Sequence, residues 1–225
     1  MVGCWALWEQ RNKVIFETRE VDPSCVIVKR VRDVMEEIEG GGYVRHKRRD
    51  KGEVGDRVVA RKGCAAPPVG YVKINVDAGV KERAGVGLGV MCRDGKGHVM
   101  WGASIVLEQL WESHIAEAVA VLDGVNEARR RGHEKIIVES DCLQVVEALR
   151  KSLTGRSIFA LVLEDILSLC NSFSSIIWSH TSRINNGVAH ALAHPFPRVV
   201  GRFLWSEALP LIANDAVVSD LSLMQ

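Results

Sequence analysis

The chain has 225 residues, of which 47% are hydrophobic and 25% charged, with a formal net charge of +1. That balance suits a soluble globular protein with one main domain plus extensions, and so small a total charge says nothing about partners. No apolar run approaches the roughly 18 residues of a membrane span, and the start MVGCWALWEQRNK lacks a basic region followed by an apolar one. We therefore expect no membrane association and an intracellular protein, in nucleus or cytoplasm.

Residues 1 to 39 read as two helices. Trp5, Trp8, Asn12, Ile15 and Phe16 fall near one face, and Val28, Val31, Val34, Met35 and Ile38 repeat the pattern after a start signal at Asp22-Pro23-Ser24. Gly40 to Gly42 break the periodicity. The basic stretch Arg45 to Gly63 follows, inside a Gly-containing linker assigned to 40–66. It reads as a solvated linker or as a stretch favouring a polyanion. The six cysteines (Cys4, Cys25, Cys64, Cys92, Cys142, Cys170) are scattered without C-x-x-C spacing, as reduced thiols are.

From Gly70 the pattern changes. YVKINVD alternates as a strand, AGVGLGVMCRD is a Gly-rich second, and HVMWGASIV is a third, with Asp94-Gly95 as a hairpin signal. Short turns between them predict an antiparallel meander. A helix is expected from about Trp111 to Arg131, with Ile115, Ala118, Val119, Leu122 and Val125 as its stripe and Gly132 as its stop. KIIVES after this crossover helix reads as a strand parallel to an earlier one. Helices at 141–151 and 157–171, a strand at 174–181 and a short helix at 185–194 complete a domain over 67–195. The expected fold class is α/β, a five-stranded mixed sheet with helices packed on it, in the order β-β-β-α-β-α-α-β-α. The tail 196–225 holds Leu204, Trp205, Leu209, Leu211, Ile212, Val217 and Val218, expected to pack back without chemistry of their own.

Three carboxylates occupy notable places: Asp77 at the end of the first strand, Glu117 early in the crossover helix, and Asp141 at the end of the fourth strand. If the first and fourth strands are neighbours, the three meet. Close carboxylates repel unless a cation neutralises them, and a hard, oxygen-loving Mg²⁺ suits them. Each also has a plain reading: Asp77 as a turn residue, Asp141 as a helix cap, Glu117 as a solvated acid favoured by the helix dipole. Trp101 and Trp178 read as core rather than stacking platforms. The glycines of the second strand read as packing positions or as room for a nucleic-acid backbone.

The runs VKINVDAGV, AGVGLGVMCRDGKGHVMWGAS, ESHIAEAVAVLDGVNEARRRGHEKIIVESDCLQVVEAL and SHTSRINNGVAHALA resemble the ribonuclease H domain, over about residues 67 to 194. They are most similar to the plant form at the end of non-LTR retroelement reverse transcriptases. WALWEQRNKVIFE resembles the segment upstream of that domain, which implies a piece derived from a reverse transcriptase polyprotein. The resemblance implies a ribonuclease H-like fold and a metal-dependent endonuclease cutting the RNA strand of RNA–DNA hybrids, with Mg²⁺, or Mn²⁺ in its place. Its acidic set maps to Asp77, Glu117 and Asp141 as metal ligands. Its fourth aspartate position is His190, a poorer Mg²⁺ ligand because imidazole suits softer metals. The family's mobile catalytic histidine corresponds to Arg183, which can hold phosphate but cannot shuttle a proton. Arg183, Asn186, Arg129 and Arg130 are the expected nucleic-acid contacts, and no obligate protein partner is expected. The altered fourth position leaves a second reading open, a weak or inactive nucleic-acid-binding module or retroelement remnant.

Overall fold

The computed structural model describes residues 66–195, 199–206, 213 and 217. The expected N-terminal helices and nearly all of the basic linker lie outside the described residues, as do Leu209, Leu211, Ile212 and Val218 of the tail. Among the described residues no helix is long and apolar enough to cross a membrane.

Strands β1 (Val72–Lys81), β2 (Gly85–Arg93) and β3 (Val99–Leu107) form the expected antiparallel meander. Helix α1 (Ser113–Arg130) crosses over to β4 (Lys135–Ser140), which lies parallel to β1. Helices α2 (Leu143–Arg150) and α3 (Ile158–Leu169) precede β5 (Ser175–His180), parallel to β4. A 3-10 turn (Arg183–Asn186) leads into the short helix α4 (Gly187–Ala193). One strand more than expected follows: β6 (Gly201–Ser206) pairs antiparallel with β3, giving a six-stranded mixed sheet in the order β5-β4-β1-β2-β3-β6.

The sixth strand falls in the segment expected as a tail. Its residues alternate about the sheet, as a strand covered on both faces requires. Arg202 reaches Asp123 and Glu127 of α1, and Leu204 packs into the core on that side. Trp205 packs with Met91, Val188, Leu192, Ala213 and Val217 on the other side.

The two faces of the sheet are closed by different elements. On one, Ile74, Val76, Leu88, Val90, Ala103 and Ile105 meet α1 and α3 in the main core. On the other, the short α4 lies directly on β2. A Cβ at Gly89 would come 2.0 Å from the carbonyl oxygen of Ala189, so only glycine lets this helix approach so closely. β2 is buried along its whole length as a result. Trp101 and Trp178 belong to the core, as expected. Gly132, at φ +74°, ends α1 in the left-handed conformation that suits glycine, while Gly132 and His133 return their N–H groups to Arg129 and Ala128.

Candidate functional site

β1 is longer than its sequence suggests. It runs four residues past Asp77 to Lys81, and the turn comes at 82–84. Asp77 is therefore mid-strand, paired with Gly89 and buried, which removes the reading as a turn residue. Asp141 follows β4 directly. The helix after it begins at Leu143 with Cys142 as its N-cap, and the Cys142 N–H is taken by Ser140 Oγ at 3.0 Å. Asp141 is thus not the N-cap. Glu117 lies in the second turn of α1 and is buried, so it is not a solvated first-turn acid.

Because β1 and β4 are parallel neighbours, Asp77 and Asp141 stand side by side, and α1 brings Glu117 against them. One carboxylate oxygen from each lies within 4.8 Å of the others. Burial comes first in raising the Asp77 carboxyl to about 7, and the Asp141 charge adds to it. Burial likewise pushes Glu117 up to about 9, helped by Asp77 and Asp141. The N–H of Ala78 and the Arg183 guanidinium oppose both shifts. Glu117 Oε2 is buried with no hydrogen-bond partner. A buried carboxylate oxygen without a donor is costly unless something positive meets it. The three acids thus have the charge, spacing and unmet demand that suit a hard divalent cation.

His190, on α4, places Nδ1 2.9 Å from Asp77 Oδ2. Its Nε2 lies 3.4 Å from Arg183 Nη2. Arginine can only donate, so Nε2 accepts and Nδ1–H donates to Asp77. Burial and the Arg183 charge hold the imidazole below its ordinary pKa, so the His190–Asp77 contact is a hydrogen bond rather than an ion pair at neutral pH.

The expected nucleic-acid contacts divide. Arg183 stands exposed at the rim, beside the acids. Asn186 is buried beneath it and acts as a strut: Nδ2 donates to the Val76 carbonyl at 2.8 Å and to Asp141 Oδ1 at 3.4 Å, while Oδ1 accepts from Asn75. Arg129 and Arg130 are exposed near the far end of α1, bonded to Asn126 and Glu127. Twelve residues separate Arg129 from Glu117, about 18 Å along a helix, so the structure does not bring them to the acids. Their neighbour Arg131 is held by Glu127 at 2.7 Å and lies over the Trp101 ring.

One residue at the site escaped the sequence reading. His194 joins Asp77 and His190 in a second group whose ligand atoms lie within 4.8 Å of one another. The available signal was the spacing HALAH, since residues four apart share a helix face.

The comparisons agree with this architecture. Residues 75–195, more than half of the chain, match the family model described as reverse transcriptase-like. RNase H1 from the halophilic archaeon Halobacterium salinarum is 19% identical, with a TM-score of 0.51 over 55% of this chain and 95% of that one. The N-terminal RNase H domain of a Mycobacterium tuberculosis protein, solved fused to maltose-binding protein, is 20% identical, with a TM-score of 0.51 over 55% of this chain and 96% of that one. At such identities these likenesses speak for the fold. No curated protein matches the sequence. By its family match the chain belongs to the reverse transcriptase-like family, and it has the fold of ribonuclease H domains.

Proposed function

We propose that the protein is a metal-dependent endonuclease that hydrolyses the RNA strand of RNA–DNA hybrids, working from a domain centred on residues 67–195. The observation that carries this reading is the convergence of Asp77, Glu117 and Asp141, with acids pushed up to about 7 and about 9 and an unpartnered buried oxygen on Glu117. Asp77, Glu117 and Asp141 would hold Mg²⁺, with Mn²⁺ able to replace it. Bound there, such ions supply an activated water and stabilise the leaving oxygen of a phosphodiester.

The chain's own residues have separate tasks. Asp77 is the carboxylate shared by both ligand groups, so its loss removes most of the centre. Asn186 fixes Asp141 against β1. Arg183 offers a fixed positive charge at the rim, suited to a phosphate oxygen but not to proton transfer. Neutral His190 donates to Asp77 and orients it. A hybrid duplex is read mainly by shape and 2′-hydroxyls, so little base preference is expected.

The test uses a labelled RNA–DNA hybrid. Wild type should cut the RNA strand in Mg²⁺ and stop in excess chelator, while Asp77→Asn should fold and fail to cut. Equal cleavage by both would refute the assignment. A second reading, a hybrid-binding module without turnover, is favoured by His190 and Arg183 at positions where active relatives are expected to carry aspartate and histidine. It predicts hybrid binding by wild type with no cleavage in Mg²⁺ or Mn²⁺.

A further inference from the structure

We infer that Asn75 is a positioning residue for the acidic centre. Backed by Glu139 and Lys73, it sets which way the Asn186 amide faces, and so holds Asp141 towards Asp77 and Glu117. The inference rests on the reading of those three acids as a metal site and adds a supporting layer behind them.

Strand geometry puts that layer there. Lys73, Asn75 and Asp77 alternate along β1, so their side chains leave the same face of the sheet. The intervening Ile74 and Val76 fill the main core on the other face. Asn75 stands opposite Glu139 in the parallel pairing of β1 with β4. Lys73, Asn75 and Asn186 are all buried.

The contacts run in one direction. Lys73 Nζ lies 3.4 Å from Glu139 Oε2. Asn75 Nδ2 donates to the same oxygen at 3.1 Å and to Asn186 Oδ1 at 3.3 Å. Asn186 Nδ2 donates to the Val76 carbonyl at 2.8 Å and to Asp141 Oδ1 at 3.4 Å. An amide has a donor end and an acceptor end, whereas a carboxylate facing an ammonium only accepts. Glu139 therefore requires the NH₂ end of Asn75. The second hydrogen of that NH₂ requires the oxygen of Asn186. With its oxygen used there, Asn186 turns its own NH₂ to Asp141. Reversed, Asn186 would set its oxygen against the Val76 carbonyl and the Asp141 carboxylate, with no hydrogen between them.

The arrangement is not the one that stability alone would favour. Asn75 Oδ1 is buried with no hydrogen-bond partner among the described residues. A buried polar network with one member unsatisfied is worse than apolar packing of the same shape. Departures of this kind collect where a function needs a group held still. The group held here is the Asp141 carboxylate, which swings less with one oxygen bonded. Partners that orient a ligand in this way commonly set metal affinity.

The test is Mn²⁺ binding by the full-length chain, measured by calorimetry without nucleic acid, beside hybrid cleavage in Mg²⁺. Asn75→Ala removes both donors. With circular dichroism unchanged, its Mn²⁺ Kd should rise about tenfold or more. Asn75→Asp, of the same shape but with no hydrogen to give, should raise it at least as far. In Asn75→Ala the Mg²⁺ concentration for half-maximal cleavage should rise as well, while KM for the hybrid stays as in wild type. In wild type, Mg²⁺ should shift the side-chain amide resonances of both Asn186 and Asn75, a readout that requires no variant. An unchanged Kd in folded Asn75→Ala, a KM that rises while Kd does not, or unmoved amide resonances would overturn the proposal. The hydrolytic reading is scored separately. Wild type that binds Mn²⁺ but never cuts sinks the nuclease, and the Kd comparison still decides the role of Asn75. Cleavage by wild type with Kd unchanged in Asn75→Ala keeps the nuclease and sinks this role. No metal binding by wild type would remove both.

Discussion

Three acids that each had an ordinary reading were separated from it by their neighbours. Asp77 lost the turn reading because β1 continues to Lys81. Asp141 lost the capping reading because Cys142 is the N-cap of α2 and Ser140 takes its N–H. The sequence could name all three because acids on strand ends and on a crossover helix form a pattern. It could not supply their burial, which depends on what lies above them. Asn186 illustrates the difference. Its place in NNGVAHALA marks it as important, but only the fold makes it a buried strut rather than a surface contact. Asn186→Ala leaves the Val76 carbonyl and Asp141 without its amide donor. We expect a loss of about 1–3 kcal/mol of stability, read from urea unfolding midpoints. Unchanged midpoints would show that water replaces the amide without cost.

At the scale of elements, two contacts decide whether the site exists. Helix α4 carries His190, ends at His194 and rests on β2 through Gly89. In Gly89→Ala the new methyl would meet the backbone of Ala189 and α4 would have to lift. The cost should reach or exceed the about 1–3 kcal/mol of ordinary overpacking, because backbone yields less readily than a side chain. A variant as stable as wild type would show that the helix shifts freely. The second contact joins β6 to α1. Arg202 bonds Asp123 and Glu127, and all three side chains are buried. Arg202→Ala takes a buried cation from Asp123 and one of several from Glu127, which keeps Arg131, so about 1–3 kcal/mol of destabilisation is expected in a thermal or denaturant melt. This segment was expected only as a tail that packs back; its partner β3 lies about a hundred residues earlier, and nothing local specifies that pairing.

Over the whole molecule, the acidic centre should make stability depend on pH and on metal. Glu117 rises from 4.5 to about 9 and Asp77 from 3.8 to about 7 on folding. The folded chain therefore holds protons that the unfolded chain releases. Without metal, the contribution of these two acids should be fully present below about pH 4 and be lost as pH climbs towards 9. A divalent cation replaces those protons and should flatten the fall; at a hundred times its Kd it adds about 2.7 kcal/mol. Melting curves from pH 5 to 9, with chelator and with Mg²⁺, measure this, and Glu117→Gln should reduce the slope in chelator. A melting temperature that rises with pH in chelator would contradict the buried, repelling trio. By itself the sequence determined the order of strands and helices from β1 to α4, the antiparallel meander, the parallel crossover and the identity of the acids. Those follow from periodicity, turn residues and handedness, which act over short spans of chain. Only the tertiary structure decided the sixth strand, the burial that raises the acids, and the approach of His194 to Asp77. Each of these depends on a close packing contact between distant segments, at Gly79, at Gly89 and along β3, where the absence or size of one side chain sets how near two backbones come.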